Sequence, residues 1–334
     1  MARIEGIRIK NFRTLKDVTF GKVFSMQQPD PLTPMTAVIG KNGSGKSTLF
    51  DAFGFLADCL RLGVEEAFDE RGRGGFNRVR SQGAAESIEF EIYYKEEGNA
   101  RPITYELSID QDSSGRPYVL RERLRQRRKG QRHGWPFSFL ILNEGKGIAW
   151  RGETEGQQIE EGSVQTALRN LMERVKKKEV REESKEIELV ELDDKRKLGI
   201  ATLGSLKQHP RISAFRRFIE GWYLSYFSPD AARSLPLAGP QRHLNTRGDN
   251  LGNVVQFLER EHERKFQAIL ARIAKKIPGI RTIDTERTPD GRLLLKFNDR
   301  GFEDPFYAQQ MSDGTLKVFA YLLLLEDPSP PPFL

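Results

Sequence analysis

An α/β fold is predicted for this chain by three observations. The stretch Gly40-Lys41-Asn42-Gly43-Ser44-Gly45-Lys46-Ser47 satisfies G-x-x-x-x-G-K-[ST] at every fixed position. It lies between the short apolar run Thr36-Ala37-Val38-Ile39, which reads as a buried strand, and residues 47–62, whose apolar positions recur at helical spacing. Further on, short segments between residues 87 and 151 read as strands, and helical patterns take over near residue 163.

The order strand, glycine-rich loop, helix gives the loop its chemistry. Backbone N–H groups of Asn42, Gly43, Ser44, Gly45 and Lys46 would turn inward at the positive end of a helix, so a polyphosphate is the natural occupant. Gly40 opens the turn. Lys46 would reach the β and γ phosphates, Ser47 would place its hydroxyl on Mg²⁺, and Thr48 would sit near the α phosphate. A glycine turn that merely caps a helix is the alternative, and the flanks weigh against it.

Taken in order, residues 3–10 read as a strand through Ile4, Ile7 and Ile9, with 16–20 close enough to be its hairpin partner. Residues 27–34 are a Pro-rich connection, and 69–83, rich in Gly and Arg, read as a loop. The segments 87–94, 103–109, 118–124, 137–143 and 147–151 then form a β-rich arm. Residues 163–178 carry an amphipathic helical pattern through Val164, Leu168, Leu171 and Val175, and 182–197, dense in mixed charge, read as a solvent-facing helix or linker. An aromatic-rich helix is expected at 212–227, its end Trp222-Tyr223-Leu224-Ser225-Tyr226-Phe227 packing as core rather than stacking on bases. The longest helix is expected at 251–277, capped by Asp249 or Asn250 and stopped at Pro278-Gly279. Pro289-Asp290-Gly291 is a turn ahead of a strand at 292–297, and 316–325 is an apolar helix.

With 334 residues the chain can hold about two domains, or one with a large insertion. Its hydrophobic share of 37% and charged share of 30% suit a globular chain with a polar surface. No apolar run approaches the ~18 residues that span a bilayer, and Met1-Ala2-Arg3-Ile4-Glu5 does not open a signal peptide, so a cytoplasmic chain without a membrane partner is expected. The single Cys59 cannot make an internal disulfide and reads as a buried, inert thiol. His133, His209, His243 and His262 are scattered without ligand spacing, so side chains alone are not expected to build a structural metal site.

The net charge of +7 is unevenly spread. Arg121, Arg123, Arg125, Arg127, Arg128, Lys129 and Arg132 form one cluster, and Arg174, Lys176, Lys177 and Lys178 a second. On a strand, Arg121, Arg123 and Arg125 share one face, a stripe that could track the phosphates of DNA or RNA. The other reading is a solvated edge strand, where basic side chains prevent unwanted pairing.

A second informative stretch is Gln310-Met311-Ser312-Asp313-Gly314-Thr315-Leu316. Ser312 or Asp313 can cap the helix that follows, and Gly314 lets a ligand approach the backbone. Ile9-Lys10-Asn11-Phe12-Arg13, the phosphate loop ending in Lys46-Ser47-Thr48, a long insertion and Met311-Ser312-Asp313-Gly314-Thr315 occur in this order. In that order the chain resembles ABC-type ATPases of the SMC-like and RecF-like branch, and more narrowly the bacterial AAA-family predicted ATPases, including those that accompany nucleases in phage defence. Arg233-Ser234-Leu235, Gly248-Asp249-Asn250-Leu251 and 321–326 also look like stretches of that group.

The resemblance implies a P-loop NTPase fold of the ABC-type ATPase head, with the β-rich arm and a helical insertion. Residues 1–160 would hold the phosphate loop and arm, 161–230 the insertion, and 231–334 the remainder of the ATPase lobe. Ser312, Asp313 and Gly314 would match the signature loop that completes the ATP site of the opposite subunit, so ATP with Mg²⁺ would join a homodimer. Arg13 would match an arginine that approaches the nucleotide, and Gln82 falls in the interval of a glutamine that contacts Mg²⁺. DNA, a nuclease or another effector protein would be the partner, in DNA repair or phage defence.

The family's Walker B acids, D-loop and switch histidine would lie beyond Leu334, so the parallel sheet is expected to be incomplete, as in a fragment, an interrupted reading frame or a short form completed by a partner. Hydrolysis needs a carboxylate to orient water, and none is evident here beside Lys46 and Ser47. A non-hydrolysing, nucleotide-gated interaction module is therefore an alternative. A transporter subunit would read Leu-Ser-Gly-Gly without the long insertion, and a small-molecule kinase would not need the loop at Ser312.

Overall fold

The computed structural model describes residues 2–26, 30–96, 101–128, 130–131, 135–152, 187–277 and 279–327. The chain forms two compact units, one running to Trp222 and one beginning at Tyr223. The helical pattern read at 163–178, the second basic cluster, and Lys129, Arg132 and His133 lie outside the described residues, as do 328–334.

The first unit is built on one eight-stranded sheet: β1 (Arg3–Phe12), β2 (Leu15–Gly21), β3 (Ile88–Lys95), β4 (Ile103–Gln111), β5 (Pro117–Gln126), β6 (Phe137–Asn143), β7 (Lys146–Trp150) and β8 (Ile187–Glu191). The order is β2-β1-β3-β4-β5-β6-β7-β8, and each neighbouring pair is antiparallel. Three expectations change among the described residues. The segments read as a β-rich arm continue the sheet that β1 and β2 begin, and the parallel sheet expected of the fold is replaced by an antiparallel one. The charged stretch read as a helix or linker supplies β8 instead.

Alternation along each strand separates the two faces. One row across the sheet reads Ile7, Ile92, Tyr105, Leu124, Leu140 and Ala149, and all of these are buried. The next row reads Arg8, Glu91, Glu106 and Arg123. Helix α1 (Lys46–Leu62) brings Phe55 to the apolar side, 5.4 Å from the ring of Phe12 and 5.9 Å from that of Phe90. Full burial of such a side chain contributes about 1.5–3 kcal/mol. The short helices α2 (Val64–Asp69) and α3 (Phe76–Val79) follow, α3 lying within the stretch read as a loop. After β8 come α4 (Gly199–Leu203) and α5 (Pro210–Glu220). Phe215 of α5 meets Tyr105, and Trp222 packs on Phe53 and Phe218, so Trp222 serves the core as expected, whereas Tyr226 of the same run is exposed and the helix ends at Glu220. Cys59 is fully buried, as expected.

One carboxylate breaks the apolar face. Glu122 of β5 is fully buried, where its Oε atoms accept the backbone N–H of Ile200 at 3.1 Å, that of Gly199, and the hydroxyl of Tyr105 at 3.0 Å. Burial pushes Glu122 up to about 7 from its ordinary 4.5, partly offset by those three donors. The folded value lies above the unfolded one, so this group's contribution is most favourable below pH 4.5 and is lost as pH rises through 7. Urea midpoints of Glu122→Gln and wild type should diverge between pH 5 and pH 8, wild type losing a few kcal/mol relative to the variant. A difference that stays constant with pH would remove this account.

The second unit combines α6 (Pro229–Ala232), α7 (Leu251–Glu261), α8 (Glu263–Lys276), β9 (Ile280–Arg287), β10 (Leu293–Asp299), β11 (Phe306–Tyr307) and α9 (Asp313–Leu325). Its three strands are ordered β11-β10-β9. The single long helix expected here is broken at His262, whose φ of −137° and ψ of 44° leave the helical region. Both pieces nevertheless feed one core, Val255 and Leu258 from α7 with Phe266, Ile269 and Ile273 from α8. Asn250 occupies the N-cap position without capping. Its amide instead donates to Gln241 and to the carbonyl of His243, tying down the preceding loop. Strand β9 is an addition to the sequence reading. A register shift between β9 and β10 near Arg281 resets the alternation and puts Ile280 and Ile283 on one side, hiding the period of two.

Candidate nucleotide-binding site

The phosphate loop runs into α1 with Gly45 as its N-cap, at φ 93° and ψ 9°, and Gly43 also has a positive φ of 83°. Only glycine adopts these values without strain, and they let successive N–H groups face one concavity. A side chain on Gly45 would come within 3.1 Å of both Leu15 and the Thr14 hydroxyl. The Lys46 ammonium folds over the loop and donates to the carbonyls of Gly40 at 2.7 Å and Lys41 at 2.8 Å. Ser47 is exposed at the helix start.

The strand expected to feed this loop does not form. Residues 36–39 make no ladder, and Met35 and Ile39 are 90% and 93% exposed. A strand needs a neighbour for its N–H and C=O groups, and among the described residues none pairs with this run. Composition alone cannot supply that partner.

A turn between β1 and β2 forms a wall beside the loop. Arg13, at φ 49°, donates its backbone N–H to Val79, and the Ser81 hydroxyl donates to the carbonyl of Arg13 at 2.7 Å. The Thr14 and Thr48 hydroxyls stand 3.3 Å apart, which brings Thr14 alongside a residue read as a phosphate contact. The guanidinium of Arg13 lies 3.2 Å from Asp51, one turn beyond Ser47, so here it faces a carboxylate. Gln82 follows Ser81 directly and is exposed.

Behind this wall lies a charge network that sequence reading missed. The Arg73 side chain is fully buried, with Nε 3.0 Å from Asp51, Nη1 2.8 Å from Asp58 and from the carbonyl of Ala67, and its guanidinium 5.4 Å from the centre of the Phe55 ring. Its signal was available in α1, where Asp51 and Asp58 stand two turns apart on an otherwise apolar face.

In the second unit, Ser312 is the N-cap of α9. Its hydroxyl accepts the N–H of Thr315 at 3.2 Å, confirming the cap read from sequence. A Cβ on Gly314 would meet only the Ser312 hydroxyl, at 4.0 Å, so the backbone there is open to approach.

A family model described as "AAA domain, putative AbiEii toxin, Type IV TA system" matches residues 35–334. The chain belongs to this AAA-domain family. The matched span takes in both the phosphate loop and the Ser312 loop, and membership assigns the chain a nucleotide-binding, ATPase-like function. No curated protein matches the chain. Among the described residues of this AAA-domain protein, no helix is long and apolar enough to cross a membrane.

The basic stripe is not the open phosphate track its spacing suggests. Arg123 and Arg125 are buried and both pair with Glu106. Arg123 also donates to Ser138 at 2.7 Å, and Arg125 lies 4.0 Å from the centre of the Phe24 ring. Their shared face was read correctly, but β4 presents Glu106 to that face and Phe24 covers it.

Proposed function

We propose that this AAA-domain chain binds ATP with Mg²⁺ through residues 40–48 and that ATP joins two copies, the Ser312-Asp313-Gly314 loop of one closing on the nucleotide of the other. The dimer would engage DNA or an effector protein, such as a nuclease, in phage defence or DNA repair. The observation carrying this reading is the preformed loop, with Gly43 and Gly45 at positive φ and the Lys46 ammonium held inside it.

The donor set fits the ligand. Lys46 exchanges the carbonyls of Gly40 and Lys41 for phosphate oxygens, the loop N–H groups hold the same phosphates, and the exposed Ser47 hydroxyl is an oxygen ligand of the kind Mg²⁺ prefers. When bound, Mg²⁺ neutralises phosphate charge and draws electrons from the transferring group. Thr14 and Thr48 line the α-phosphate side, and Gln82 is available to orient water. A second reading, nucleotide-gated association without hydrolysis, is favoured by Asp51. This acid one turn beyond Ser47 is already held by Arg13 and Arg73 rather than offered to water.

The test is sedimentation of the purified chain with and without MgATP, alongside ATP turnover. Ser312→Ala should abolish the ATP-dependent dimer while nucleotide affinity stays within about twofold, and melting should show only the ~1 kcal/mol lost with a helix cap. Association that ignores Ser312 would reject the two-copy site. Dimerisation without turnover would favour the second reading.

A further inference from the structure

Asp313 poses an electrostatic problem for the site just described. It is the first residue of α9, directly after Ser312. A helix N-terminus attracts anions, and a carboxylate in its first turn satisfies that potential from within the chain. An aspartate here therefore competes with any phosphate brought to the Ser312 hydroxyl, through both its own charge and its use of the helix end.

The second unit answers this with Arg233, which directly follows α6. One Nη of its guanidinium donates to the Asp313 carboxylate at 2.5 Å and to the carbonyl of Met311 at 2.9 Å, and the other donates to Asp230 at 2.7 Å. The backbone of Arg233 is fixed in turn, because the Gln309 amide donates to its carbonyl at 2.7 Å. The fork thus grips both sides of Ser312, at the carbonyl before it and the carboxylate after it. The guanidinium carries its charge at every physiological pH, as any arginine does, and its hydrogen bonds to Asp313 and Asp230 raise its proton affinity further.

We propose that Arg233 is a positioning residue for the Ser312 loop, drawing the Asp313 carboxylate off the helix end so that the N-terminus of α9 can receive the phosphate of a nucleotide held by a second copy. This rests on the two-copy reading above. Arg233 touches no phosphate itself; it acts through Asp313 and Met311.

The experiment is ATP-dependent dimerisation of the full chain, followed by sedimentation velocity with MgATP at low and high salt. Wild type, Arg233→Ala, Asp313→Asn and the double variant are compared. Arg233→Ala should need about two- to fivefold more ATP for half-dimerisation, the size expected of a like charge at a helix end. That deficit should shrink at high salt. The double variant should return to near the wild-type midpoint, because the competing charge is gone. Asp313→Asn alone should dimerise at no more ATP than wild type, and it remains informative if Arg233→Ala fails to fold. An Arg233→Ala midpoint equal to wild type, or one that Asp313→Asn does not restore, would overturn the proposal. A wild-type chain that binds ATP through Lys46 yet never dimerises would overturn the two-copy reading and this inference with it.

Discussion

ATP binding by Lys46→Ala is expected to be roughly 10- to 100-fold weaker than by wild type, with the fold intact. The ammonium is, among the described residues, the side-chain cation held inside the loop by its own hydrogen bonds, to Gly40 and Lys41. A charge-assisted hydrogen bond contributes about 1.5–3 kcal/mol, and each ~1.4 kcal/mol is tenfold in affinity. The two carbonyls it leaves behind are exposed and find water, so melting should move little. Calorimetric titration with MgATP measures both quantities on one preparation. Equal affinity in the two chains would mean that nucleotide binds elsewhere.

The largest stability loss is expected from Arg73→Ala, at roughly 3–5 kcal/mol, because its removal strands buried carboxylates rather than simply deleting a contact. Asp58 would keep Arg71 and Arg61, and Asp51 would keep Arg13, but each would lose its shortest buried partner. At ~2–4 °C per kcal/mol for a unit of this size, the melting temperature should fall by about 10 °C or more. Arg73→Lys should rescue little, since one ammonium cannot reproduce the fork that spans Asp51, Asp58 and the carbonyl of Ala67. Adding Asp58→Asn to Arg73→Ala should recover part of the loss. A drop of under ~1 kcal/mol for Arg73→Ala would show that the network is not what holds α1 against the following loop.

What could be read in advance was whatever is encoded locally. The glycine loop, the β1–β2 hairpin, β6 and the cap at Ser312 each depend on residues within a few positions of one another, and their patterns name them. Partnership is not encoded that way. Thr36-Ala37-Val38-Ile39 has the composition of a strand but no neighbour among the described residues, and Arg123 and Arg125 share a face whose far side is decided by Glu106 on another strand. Helical periodicity runs undisturbed through His262 because both flanking helices bury their stripes in one core, so the break left no mark on the pattern. Around the candidate site, the motif named Lys46 and Ser47 but not Thr14 or Arg73, which reach α1 only through space, and the Ser312 stretch did not name Arg233, which reaches Asp313 from 80 residues away.

Strand β1 is second in the sheet, with β2 on one side and β3 on the other. A ribosome delivers β2 almost at once, whereas Ile88–Lys95 follows only after the phosphate loop and three helices have been made. During that interval the β3-facing edge of β1 stays unpaired, flanked by Ile7, Ile9 and Phe12, which are destined for the core. Unpaired apolar edges are where nascent chains recruit one another. Slow translation through residues 13–87 should therefore lower the soluble yield, while synonymous changes that speed this stretch should raise it.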